Sequence, residues 1–165
     1  MEIEEDIRPW KQYPLWDEWM AEQVQAKMRQ VTFVITGPSK LGKSEFVRAS
    51  IVPLNPERVL MVSCMNVLDP DLRDFNEAEH DGIVFDEGSA DMIQRHRDLF
   101  QAPRHEIKLA HSQTGCYCYK VNVWRTKLIV TSNSFFEQLD ALPSAHAAWV
   151  RANTKVLEVT ENMWQ

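Results

Sequence analysis

The residues best placed to do chemistry are Gly37-Pro38-Ser39-Lys40-Leu41-Gly42-Lys43-Ser44. They fit the pattern G-x-x-x-x-G-K-[ST], which works only with a strand before it and a helix after it. Each residue type has a physical reason. Gly37 and Gly42 let the loop turn its backbone N–H groups toward phosphate oxygens, Lys43 adds charge at the β- and γ-phosphates of a nucleotide, and Ser44 offers a hydroxyl to Mg2+. Further along, Ile83-Val-Phe-Asp86-Glu87 ends an apolar run with two adjacent carboxylates. Beside a phosphate-binding loop, Asp86 is expected to hold Mg2+ and Glu87 to polarise the water that attacks the γ-phosphate. An isolated Asp-Glu pair is more often a solvated strand end. A third run, Leu128-Ile-Val-Thr-Ser132, leads to Asn133, whose amide could orient that water or contact the γ-phosphate. An asparagine after a strand is, taken alone, more often a turn former.

These residues need elements to hold them. Residues 31–36, 82–86 and 127–132 are short apolar runs that read as strands buried on both faces, and 58–63 and 156–160 read as two more. The loop residues open into a helical segment at 44–50. Trp10, Trp16, Trp19, Met20, Val24 and Met28 recur mostly at three- and four-residue steps, predicting an amphipathic helix within 10–29 whose start Pro14 breaks. Asp69-Pro70 predicts a capped helix over 70–79, and Ser89 predicts another running to about Gln101 before Pro103. Residues 105–110 and 117–124 alternate in polarity around His111-Ser-Gln-Thr-Gly115, which predicts a hairpin. Strands alternating with helices imply a parallel α/β sheet with an inserted antiparallel hairpin.

Composition sets the bounds. With 165 residues, 44 % hydrophobic and 25 % charged, the chain reads as one globular domain rather than a disordered or fibrous protein. The expected organisation is a single domain over 1–165, with an N-terminal helical segment at 1–30 and a core at 31–165 carrying the hairpin at about 105–124. No apolar run is long enough to span a bilayer, and the first ten residues are acidic, so the expectation is an intracellular, soluble protein with no membrane partner. Cys64, Cys116 and Cys118 are an odd count that matches neither a disulfide framework nor a zinc spacing, and reduced thiols are the default. The net charge is −6, yet residues 91–127 hold seven basic and three acidic side chains. A polyanion would be met there first.

In order, Arg8-Pro9-Trp10-Lys11, the GPSKLGKS loop, IVFDE, the basic hairpin and LIVTSN resemble the helicase domain of rolling-circle replication initiator (Rep) proteins of CRESS-DNA viruses. These are superfamily 3 helicases of the wider AAA+ group. The resemblance covers about residues 7–164, and the loop is its strongest single motif. It implies a three-layer P-loop NTPase fold, and an ATPase using ATP and Mg2+ that assembles as a homo-oligomer, a hexameric ring, and pulls single-stranded DNA through its centre. Carried over by position, Lys43 and Ser44 bind nucleotide and Mg2+, Asp86 and Glu87 serve metal and water, and Asn133 is a sensor of the γ-phosphate. Lys108, His111 and Lys120 would be the hairpin residues nearest DNA, in agreement with the charge count. An arginine from a neighbouring subunit would complete each site; Arg151 lies in the right region and Arg125 competes with it. The family makes a nuclear location possible.

Two features depart from the family. Its full-length members begin with a nicking domain bearing a His-hydrophobic-His motif, and no such pair occurs here. The loop also carries a second lysine, Lys40, where the family favours glycine. Three alternatives stand beside the DNA helicase: an RNA-virus helicase of the same superfamily, a small-molecule P-loop kinase, and a nucleotide-binding switch without catalysis. The paired acids favour water as the acceptor over a kinase substrate, and no arginine-bearing lid is evident.

Overall fold

The computed structural model describes residues 10–25, 30–52, 55–110 and 118–165. Arg8, Pro9, Met28, His111 and Cys116, and the predicted turn of the hairpin, lie outside them. Five strands, β1 (Thr32–Thr36), β2 (Val59–Ser63), β3 (Gly82–Asp86), β6 (Lys127–Ser132) and β7 (Thr154–Glu158), form one sheet in the order β2-β3-β6-β1-β7. Every pairing in it is parallel. A separate antiparallel pair, β4 (Ile107–Ala110) and β5 (Cys118–Val121), is the predicted hairpin.

The central strands are apolar on both faces because both are covered. Val34, Ile83, Phe85, Leu128 and Val130 point into one core, and Phe33, Ile35, Val84 and Ile129 into the other. On the second side, α1 (Pro14–Gln25) supplies Trp16 and Trp19, and α2 (Lys43–Ile51) supplies Phe46 and Val47. The first core is closed by α3 (Ala90–Arg95), α4 (Arg97–Phe100), α5 (Phe135–Ala141), α6 (Ser144–Asn153) and the inward face of the hairpin. The result is a mixed α/β fold of three layers around a parallel sheet. No helix among the described residues is long and apolar enough to cross a membrane.

Several expectations need correction. Residues 70–79 do not form a helix. Polar side chains there bond their own backbone instead: Asp71 Oδ1 accepts from Arg73 N–H at 3.1 Å and Asn76 Oδ1 from Ala78 N–H at 2.9 Å, which competes with helical bonding. Asp69 is no cap, because its carboxylate lies 2.8 Å from His96 Nε2. The helix capped by Ser89 does form, its hydroxyl accepting from Met92 N–H at 3.1 Å, but it breaks at His96 into α3 and α4. Pro14 does not break α1; it is the first residue of that helix, where a missing N–H costs nothing. Val24, expected on its apolar face, is 82 % exposed. The last strand begins two residues earlier than expected, at Thr154.

Candidate functional site

The 37–44 loop leaves the C-terminal end of β1 and enters α2, the context its pattern requires. Two residues in it adopt left-handed backbone, Lys40 at φ 66° and Gly42 at φ 86°. Gly42 stands immediately before α2, and a Cβ there would sit 2.6 Å from the ring of Trp164. A Cβ on Gly37 would sit 2.2 Å from the carbonyl oxygen of Val159. The C-terminal segment thus packs directly on the loop: Met163 N–H donates to Leu41 O at 3.0 Å, and Trp10 pairs with Trp164 in an antiparallel bridge.

Lys43 is buried, and its ammonium donates to Gly37 O at 2.8 Å, Pro38 O at 2.7 Å and Asn133 Oδ1 at 3.1 Å. All three acceptors are neutral. Burial lowers the Lys43 pKa from the ordinary lysine value, and the nearby Asp86 and Glu87 carboxylates partly restore it. Ser44 Oγ donates to Asp86 Oδ1 at 2.6 Å. Thus the loop reaches the end of β3 through a hydroxyl and the end of β6 through an ammonium.

β6 runs between β1 and β3, so Asn133 emerges between the loop and the acids. Asp86 ends β3, and Glu87 follows it at φ 56°, a left-handed conformation unusual for glutamate. Glu87 N–H donates to Thr131 Oγ1 at 3.2 Å, and that hydroxyl lies 2.9 Å from Asp86 Oδ1. Thr131 was not anticipated from sequence. It reads as one more β-branched strand residue, and only its register beside Asp86 reveals it. A cavity of about 520 Å³ opens beside Glu87 and Asn133, walled also by Cys64, Met65, Ser89 and Gln138.

The structure therefore pairs Lys43 with Asn133 and Ser44 with Asp86, with Glu87 following Asp86 in the chain. Pro38, Ser39 and Lys40 form the exposed crest of the loop and Leu41 is half-buried. Arg151 is not joined to this group; it is exposed on α6, its guanidinium 3.5 Å from Asp140. Arg125 lies in a turn before β6 with its guanidinium 6.0 Å from the Trp124 ring centre. Lys108 and Lys120 face each other across the hairpin register, both exposed. No protein-family model and no curated protein matches the chain.

Proposed function

We propose that the chain is a Mg2+-dependent ATP hydrolase with a P-loop NTPase fold, acting as a superfamily 3 helicase-like motor on single-stranded DNA. The observation that carries this reading is the convergence of Lys43, Ser44, Asp86, Glu87 and Asn133 at the C-terminal edge of three adjacent parallel strands, where ligands of open α/β sheets bind. Lys43 holds only neutral acceptors, so a phosphate oxygen, being charged, is a stronger partner for it than any it has now. The Ser44 hydroxyl and Asp86 carboxylate are hard oxygen donors, which suits Mg2+. Mg2+ takes few ligands from protein and keeps several from water and substrate phosphates, so these two donors are of the number it uses. When bound, Mg2+ would neutralise charge on the β- and γ-phosphates. Glu87 then takes a proton from the attacking water, and Asn133 holds that water or a γ-phosphate oxygen.

The hairpin supports a polyanionic track. Like charges directly opposite on a β-ladder repel, yet Lys108 and Lys120 stand as a cross-strand pair with no ion pair among the described residues. A nucleic-acid phosphate between them removes that repulsion, for RNA as for DNA. Arg151, exposed on α6, is available to a neighbouring subunit of a ring. The cavity of about 520 Å³ beside Glu87 favours a second reading, in which a small molecule in place of water accepts the phosphoryl group.

The test is ATP turnover by the purified chain with Mg2+, alone and with single-stranded DNA or RNA, with Lys43→Ala as the blank. Release of inorganic phosphate that one polymer stimulates, and that the blank and Glu87→Gln abolish, supports the motor. Phosphate appearing only on an added small acceptor supports the kinase, and tight binding without any turnover leaves a switch.

A further inference from the structure

Thr131 sits at 1 % exposure, and its single hydroxyl serves both acidic residues of the site. It accepts the Glu87 N–H at 3.2 Å and donates to Asp86 Oδ1 at 2.9 Å. Two hydroxyls, Thr131 and Ser44, converge on that one carboxylate oxygen. The backbone on either side is pinned as well: Gly88 N–H donates to Thr131 O at 2.9 Å, and Asp86 O accepts from Cys64 N–H at 2.8 Å. Between those two anchors Glu87 is held at φ 56°. Strained conformations of this kind persist only where surrounding contacts over-determine them, and they gather at functional sites.

From this geometry we infer that Thr131 is a positioning residue that aims the Asp86 carboxylate and the Glu87 backbone together, coupling the metal-holding acid to the base. The inference rests on the hydrolase reading. Without the hydroxyl, Asp86 loses one of its two donors and rotates more freely. Glu87 N–H loses its acceptor at the same moment, and its left-handed backbone is then held only by the two flanking main-chain bonds. One substitution on β6 thus disturbs two functions on β3. A purely packing role predicts otherwise, since valine nearly matches threonine in shape and suits a buried strand.

The experiment compares the unaltered chain with Thr131→Val and Thr131→Ser, after thermal melting shows which variants are folded. The first readout is the affinity of a fluorescent ATP analogue with and without Mn2+. In Thr131→Val the gain in affinity brought by Mn2+ should fall roughly tenfold, the usual scale for losing a group that orients a metal ligand, while metal-free affinity stays. The second readout is turnover, where kcat should fall roughly 100-fold with KM little changed, as for a misplaced reacting group. Thr131→Ser should restore both. A Val variant equal to the parent in both readouts overturns the inference, and so does a folded Ser variant that loses the Mn2+ gain. If the parent binds the analogue with Mn2+ but never hydrolyses ATP, the hydrolase reading falls while the Mn2+ readout still decides the role of Thr131. If the parent binds no nucleotide, both fall.

Discussion

The Ser44 hydroxyl lies 2.6 Å from Asp86 Oδ1, fastening the first turn of α2 to the end of β3. A hydroxyl and a carboxylate brought this close form one unit, so under the proposed Mg2+-dependent function their contributions to metal binding should not add. Ser44→Ala and Asp86→Asn should each remove most of the affinity that Mg2+ adds for ATP, and the double variant should lose little more than either. A double-mutant cycle on nucleotide affinity, with and without Mg2+, measures this. Additive losses would show that the two residues act at separate places.

Asn133 joins the site through Lys43, whose ammonium it accepts at 3.1 Å. The lysine keeps two carbonyl acceptors when that amide is removed. Asn133→Ala should therefore leave nucleotide affinity nearly unchanged, while turnover falls roughly 100-fold, the scale for removing one preorganised polar group at a developing charge. Parallel measurement of KM and kcat separates the two effects. A large rise in KM with unaltered kcat would assign Asn133 to binding alone.

What was legible in the sequence follows from where the information lies. The strands carrying the site read correctly because Phe33–Ile35 and Ile83–Phe85 are apolar at consecutive positions, the mark of burial on both faces. The 37–44 loop was legible because its residue types answer to local geometry. Residues 70–79 depart from expectation because Asp69-Pro70 is a genuine helix-start signal that tertiary partners override: His96 takes the Asp69 carboxylate, and the Tyr119 hydroxyl accepts the Leu72 N–H at 2.8 Å. The role of Thr131 is invisible in one dimension, since it depends on β6 lying next to β3, a neighbour relationship the chain order does not state. The same holds for α5 and α6: Leu139, Ala147 and Val150 gain meaning only once a sheet face exists for them to cover.

Lys40 occupies left-handed backbone at φ 66° on the exposed crest of the loop. A side chain there costs about 1–2 kcal/mol, whereas glycine carries an extra unfolded-state entropy of about 0.4–1 kcal/mol. The strain is the larger quantity. Lys40→Gly should therefore stabilise the chain by about 0.5–1 kcal/mol, raising Tm by about 1–4 °C in a domain of this size. Thermal melting decides it. A lower Tm would mean that the lysine side chain makes contacts outweighing the strain.

Gly42 is constrained twice, by φ 86° and by the Trp164 ring 2.6 Å from where a Cβ would lie. Gly42→Ala should cost about 2 kcal/mol or more, part from strain and part from displacing an aromatic ring. The two parts separate in a Trp164→Ala background, where the strain and a 3.3 Å approach to the Trp10 ring remain. There the cost of Gly42→Ala should shrink by about 1 kcal/mol without vanishing. Denaturant melts of the four proteins give the coupling. An unchanged cost would show that the ring moves aside freely.

Cys64 is 2 % exposed, at the wall of the cavity beside Glu87. Burial, with a smaller contribution from the Asp86 charge, pushes its thiol pKa up to about 12. A thiol of the unfolded chain ionises near 8.5, so from about pH 8.5 upward the unfolded state releases a proton that the folded state retains. The stability tied to Cys64 is complete below about pH 8.5 and drains away as pH rises toward 12. Cys64→Ala should flatten that alkaline loss in melts followed from pH 7 to 10. Reactivity gives an independent check, because the thiolate is the attacking species. Iodoacetamide at pH 8 should modify the exposed Cys118 in the native protein and reach Cys64 only after unfolding, as read by mass spectrometry of the digested chain. Rapid native labelling of Cys64 would mean that the wall of the cavity opens, and that the thiol meets solvent beside the acids.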